Sequence, residues 1–213
     1  MDSVKWIVSS VKSMVNGRWS LVYCLLSTVY GLFSCNSPFT PKPTGYYAIS
    51  FPEKKYQVFN QAGYPYEFEY PVYASVAKDS VFFGETNENP WWININFPQF
   101  NGRIYISYKD LKQNNFDTLV KHAFTLTGKH TVKAYSINDS LIHTKNNIEG
   151  IFFTVGGDVA TANQFFLTDS TRHFLRGALY FDATPNADSL GIVNRFLIED
   201  VKHLINSFKW RKQ

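Results

Sequence analysis

Apolar and polar residues alternate with a period of two on either side of a short turn between Trp91 and Tyr108. Trp91, Ile93, Ile95 and Phe97 fall on one side of an extended chain, with Trp92, Asn94 and Asn96 on the other. Pro98 to Gly102 supplies turn residues, and Ile104, Ile106 and Tyr108 then alternate with Arg103, Tyr105 and Ser107. The pattern predicts a hairpin with one buried face and one wet face. The wet face gathers Trp92, Asn94, Asn96, Arg103 and Tyr105, a mixed aromatic and amide surface suited to a protein partner or a sugar, unless another element covers Trp92.

The period changes after Asn114. Phe116, Leu119, Val120, Ala123, Phe124 and Thr127 recur at spacings of three and four, which predicts an amphipathic helix. Asn115 is its expected cap and Gly128 its expected end. A polar loop is expected around Asn138 to Asn147, followed by strands over Ile148 to Val155, Asn163 to Thr168 and Arg172 to Phe181. Gly156 and Gly157 precede a strand pattern, not a helix, so they read as a hairpin loop and not as a phosphate cradle. Leu190, Val193, Leu197, Val201, Leu204 and Phe208 line a second helix after Pro185, capped by Asp188 or Ser189. Short strands are expected between Tyr46 and Val76, where Pro52, Gly63, Pro65 and Pro71 punctuate aromatic runs. The whole predicts an α+β fold, an antiparallel β-sheet with two packed amphipathic helices.

The first residues follow a different logic. Lys5, Lys12 and Arg18 precede an uncharged run from Trp19 to Phe33, the basic-then-apolar order of a secretory signal. Leu32, Phe33 and Ser34 before Cys35 resemble a bacterial lipobox, in which Cys35 receives diacylglycerol and fatty acid and becomes the mature N-terminus. The competing reading is an uncleaved membrane helix, which needs roughly 20 apolar residues, more than this run supplies. Pro38, Pro41 and Pro43 favour an extended tether. The expected organisation is a signal peptide over 1–34, a tether over 35–44 and one globular domain over 45–213.

Composition narrows the chemistry. Removing residues 1–34 takes away three basic residues and one acidic residue, so the formal charge falls from +4 to +2. The mature chain is close to neutral, and its basic cluster Lys209, Arg211 and Lys212 reads as a solvated end; no nucleic-acid partner is expected. Cys24 lies in the expected signal and Cys35 would carry lipid, which leaves no thiol for a disulfide, a zinc site or a nucleophile. No pair among the five histidines has the spacing of four that serves a helical zinc site. A site assembled from His130, His173 and Asp158 would need the fold to bring them together. Glu85 with Glu88, and Asp169 with Asp182, read as solvated turn residues and not as the paired acids of a glycosidase. The expectation is therefore a non-enzyme with no cofactor beyond the covalent lipid on Cys35; a periplasmic glycan-binding or glycan-processing domain is the alternative.

The lipobox, the Pro-rich start, the hairpin PWWININFPQFNGRIYISYK, the helix LVKHAFTLTGKH, the run GIFFTVGGDVATANQFFLTDSTRHFLRGALYF with ATPNADSL behind it, and the closing SFKW resemble the gliding motility lipoprotein GldD family of Bacteroidota. The resemblance covers essentially all of the expected mature chain. It implies a lipid-anchored protein of the cell envelope that acts with the gliding motor and the type IX secretion machinery. Asn36, Ser37, Pro38 and Phe39 lack the acidic residues that follow the lipidated cysteine in surface-displayed lipoproteins of that phylum, which implies a periplasmic orientation. More remotely, the strand, turn, strand and terminal helix ending in SFKW are similar to the PsbP and Mog1 type of α/β/α sandwich, an analogy of fold alone.

Overall fold

The computed structural model describes residues 48–79, 81–82, 85–86 and 89–211. The expected signal peptide, the lipobox residues Leu32, Phe33 and Ser34, the lipidation site Cys35 and the tether lie outside these residues.

A seven-stranded antiparallel sheet forms the centre, in the order β3 (Ser75–Lys78), β6 (Ile93–Phe97), β7 (Gly102–Asp110), β11 (His173–Phe181), β10 (Asn163–Thr168), β9 (Glu149–Gly157) and β8 (Ala134–His143). A smaller sheet places β2 (Tyr66–Pro71) between β1 (Tyr56–Phe59) and β12 (Lys209–Trp210). β4 (Val81–Phe82) and β5 (Glu85–Thr86) pair with each other. The helices are α1 (Phe116–Gly128) and α2 (Ala187–Ser207).

The expected hairpin forms as β6 and β7, with Asn94 opposite Tyr105 and Asn96 opposite Arg103. Ile93, Ile95, Phe97, Ile104, Ile106 and Tyr108 are buried on one face, and the residues between them are half-buried on the other. The buried set joins Leu175 and Leu179 of β11 and Phe165 of β10 against Val193, Leu197, Val201 and Leu204 of α2. Gly177 sits at the centre of this layer because a Cβ there would run into the ring of Phe165. The same core takes in the small sheet through Tyr66, Phe68 and Phe208, whose rings stack.

On the opposite face, Phe153, Phe166 and Phe174 receive α1 through Ala123, with Phe116, Leu119 and Val120 around it. The helices thus lie on opposite faces of the sheet, an α/β/α arrangement. Only Ala123 and Thr127 of α1 are fully buried, so this helix rests on its face as a shallow layer. It sits over β9, β10 and β11, and no helix among the described residues covers the outer face of β3, β6 and β7.

Several local expectations change. Asn115 caps α1 as expected, accepting from the Thr118 N–H at 3.0 Å. Gly128 is the last residue of that helix as expected, but it keeps right-handed angles and the chain continues into a 3₁₀ turn over Lys129–Val132. The cap of α2 is Asn186, whose Oδ1 accepts from the Ser189 N–H at 2.9 Å, not Asp188 or Ser189. The expected polar loop after Asn138 is largely strand: β8 is an edge strand, wet on both faces, so no apolar alternation marks it. Arg211 is not a free solvated end, since Nη1 donates to the Gln61 carbonyl at 2.9 Å and Nε lies 3.3 Å from Glu67 Oε2.

Candidate functional site

Each residue singled out on the hairpin lies on the outer face, because residues paired across antiparallel strands project to the same side. Arg103 organises one end: its Nε donates to Asn96 Oδ1 at 2.7 Å and its Nη1 to the Tyr105 hydroxyl at 3.2 Å. Tyr105 meets Tyr180 of β11 edge to face at 5.5 Å. Trp92 is half-buried, with Nε1 donating to the Tyr108 carbonyl at 2.8 Å and Lys109 Nζ lying 5.2 Å from its ring centroid. Asn94 lies between them, and its buried Oδ1 has no hydrogen-bond donor among the described residues. The face is held in place by its own contacts.

Trp92 and Tyr105 also form one wall of a groove of about 400 Å³ between this face and α1. Leu119, Ala123 and Leu126 form the helix side, and Phe174 closes the floor on β11. The spacing of Leu119, His122 and Leu126 places all three along one side of α1, next to the stripe that packs on the sheet. The walls are mainly apolar, but four charged or titratable residues line the groove: Asp79, Lys109, His122 and Arg176. Arg176 projects toward α1 from the middle of β11 and donates from Nη2 to Gln164 Oε1. Burial lowers its pKa, the expected effect of moving a guanidinium out of water. Gln164 is held in turn by the Thr127 hydroxyl of α1 at 3.4 Å.

The scattered histidines do not assemble into a site. His173 is buried on β11, with Nδ1 2.6 Å from the Tyr108 hydroxyl and its ring stacked 4.8 Å from that of Trp210. Burial depresses the His173 pKa, and burial also pushes the Tyr108 hydroxyl up to about 12. His130 and Asp158 line a shallow pocket beside Pro185, but Asp158 Oδ1 accepts from the Ala187 N–H at 2.7 Å and His173 is not part of that pocket. Asp169 lies in the turn before β11. Burial raises its pKa, and three backbone N–H donors, from Arg172, His173 and Thr171, outweigh that and lower it. Among the described residues no three His, Cys, Asp or Glu side chains are grouped to hold a metal ion.

The hairpin face was legible in the sequence, but the groove was not. Arg176 was visible as a charge in the middle of a strand, sharing a face with Phe174 and Tyr180. Its role depends on where α1 crosses the sheet, which local periodicity does not encode. Asp79 and Lys109 carried no signal of their own.

The fold is that of a mixed α+β protein with a largely apolar groove beside the outer face of an antiparallel sheet. The sequence matches the family of gliding motility lipoprotein GldD over residues 36–210, and the chain belongs to that family. Membership makes it a lipoprotein of gliding motility, anchored at the cell envelope. Among the described residues no helix is long and apolar enough to cross a membrane. No curated protein sequence matches the chain. Among solved structures it is similar to the solution structure of cyanobacterial PsbP (CyanoP) from Synechocystis sp. PCC 6803, at 11% identity and a TM-score of 0.40, covering 80% of this chain and 100% of that one.

Proposed function

We propose that this protein is a non-catalytic assembly component of the gliding machinery, working with type IX secretion and binding a partner protein through the outer face of the β6–β7 hairpin and the adjoining groove. In this reading residues 1–34 are removed and Cys35 carries the lipid. Residues 35–44 act as a tether, and residues 45–213 form the working domain on the periplasmic side. The observation that carries it is the groove itself: an aromatic and apolar cleft, beside a sheet face that no helix among the described residues covers. Its apolar walls favour a protein segment over a glycan, which needs many more hydrogen-bonding groups.

The test is recovery of other gliding and secretion proteins with the full-length lipoprotein after crosslinking in intact cells. Trp92→Ala combined with Arg103→Ala should lower recovery at least five-fold. Leu126→Glu, on a partly exposed position of α1, should do the same without disturbing the sheet. Undiminished recovery from both variants would remove this face from the function.

A further inference from the structure

The groove beside α1 contains a cationic group with no counterion among the described residues. Arg176 has five N–H donors, and the hydrogen bond it makes among the described residues goes to the neutral amide of Gln164. None of the ion pairs among these residues includes it. The other charges around the groove do not compensate. Asp79 and Lys109 both lie at the Trp92 end: the Asp79 N–H donates to the Trp92 carbonyl at 2.9 Å, and Lys109 lies over the Trp92 ring. Neither is ion-paired with Arg176 among the described residues. At the α1 end Arg176 and His122 line the groove, where the remaining walls, Leu119, Leu126 and Phe174, are apolar.

A guanidinium held against apolar walls has already lost much of its hydration in the free protein. A carboxylate arriving there pays mainly for its own desolvation and gains a planar two-point partner in a setting where water screens poorly. A neutral polar ligand gains less, since it brings no charge to meet the guanidinium. We infer that the groove receives an acidic-aromatic peptide segment of a partner protein, with an aromatic side chain between α1 and Phe174 and the neighbouring Asp or Glu carboxylate on Arg176. This inference rests on the partner-binding reading above and specifies the chemistry of that partner.

Methyl-labelled full-length protein in phospholipid nanodiscs can be titrated with blocked dipeptides, following the Leu119, Ala123 and Leu126 methyl signals. N-acetyl-phenylalanyl-glutamate amide should bind at least ten-fold more tightly than its glutamine counterpart. The alanyl-glutamate peptide, lacking the ring, should bind as weakly as the glutamine peptide. Arg176→Gln should reduce the glutamate preference to less than three-fold. Leu126→Glu, which supplies an acid from the helix and leaves the sheet intact, should reduce it equally, so the outcome does not depend on one variant folding. Equal binding of the glutamate and glutamine peptides, no binding by either, or a preference that survives in both variants would overturn the inference. Lost peptide preference with partner recovery still sensitive to the hairpin variants would refute the carboxylate chemistry alone. A retained preference with recovery insensitive to those variants would instead refute the assembly role.

Discussion

Lys54 Nζ lies 2.8 Å from Asp200 Oδ1, joining the segment ahead of β1 to the buried side of α2. The same carboxylate accepts from the Tyr56 hydroxyl at 3.0 Å and the Tyr73 hydroxyl at 2.5 Å, while Lys54 also donates to the Phe196 carbonyl at 2.7 Å. Burial, followed by the bond to Asp200, raises the pKa of both phenols, so they remain donors throughout the physiological range. A carboxylate that is 2% exposed is tolerated here because each oxygen has strong donors.

Asp200→Ala strands a lysine and two hydroxyls that are organised around the missing group. Breaking a buried pair by removing one partner costs about 3 kcal/mol, which for a protein of this size lowers Tm by roughly 6–12 °C. Urea and thermal unfolding measure this, and a loss below about 1 kcal/mol would mean that water replaces the carboxylate.

Gly177→Ala places a methyl group against the ring of Phe165 in the centre of the α2-facing core. Overpacking of this kind costs about 1–3 kcal/mol. Because the obstruction is a side chain, Phe165→Leu in the same molecule should recover part of the loss, giving a favourable coupling in a double-mutant cycle. Strictly additive losses would show that the backbone, not the ring, limits the space.

Stability should depend on pH through His173. Its folded pKa lies below the ordinary 6.5 because burial disfavours the imidazolium, so the unfolded chain takes up a proton that the folded chain refuses. The stabilisation is complete above the unfolded pKa and is lost as pH falls below it. His130, lowered first by burial and then by the Arg176 charge, acts in the same direction. Urea midpoints should therefore fall between pH 7 and pH 5, and His173→Gln should flatten that slope.

The β8 edge carries Tyr135 at 82% and Leu141 at 85% exposure, next to an open row of backbone donors and acceptors. An unprotected apolar edge of this kind promotes strand-to-strand association. Leu141→Lys should reduce concentration-dependent association in sedimentation velocity while changing stability by no more than about 0.5 kcal/mol.

The sequence revealed elements wherever one face is dry and the other wet. β6 and β7 alternate cleanly because the α2 side takes every second residue into the core, and the stripe of α2 was legible for the same reason. β8 escaped notice because backbone pairing with β9, not burial of side chains, makes it a strand. The groove depends on how far α1 extends across the sheet. The short stripe Ala123 to Thr127 settles that only after the fold has formed. The expected cap of α2 was displaced by two or three residues because Asn186, Asp188 and Ser189 all have capping side chains, and local geometry selects among them.

β2 carries β1 along one edge and β12 along the other, so the leading and trailing stretches of the described chain meet on a single strand. A pull entering ahead of β1 is passed through Lys54 to α2 and through β2 to β12. That path meets the seven-stranded layer on the face packed against α2, opposite the face that bears the groove.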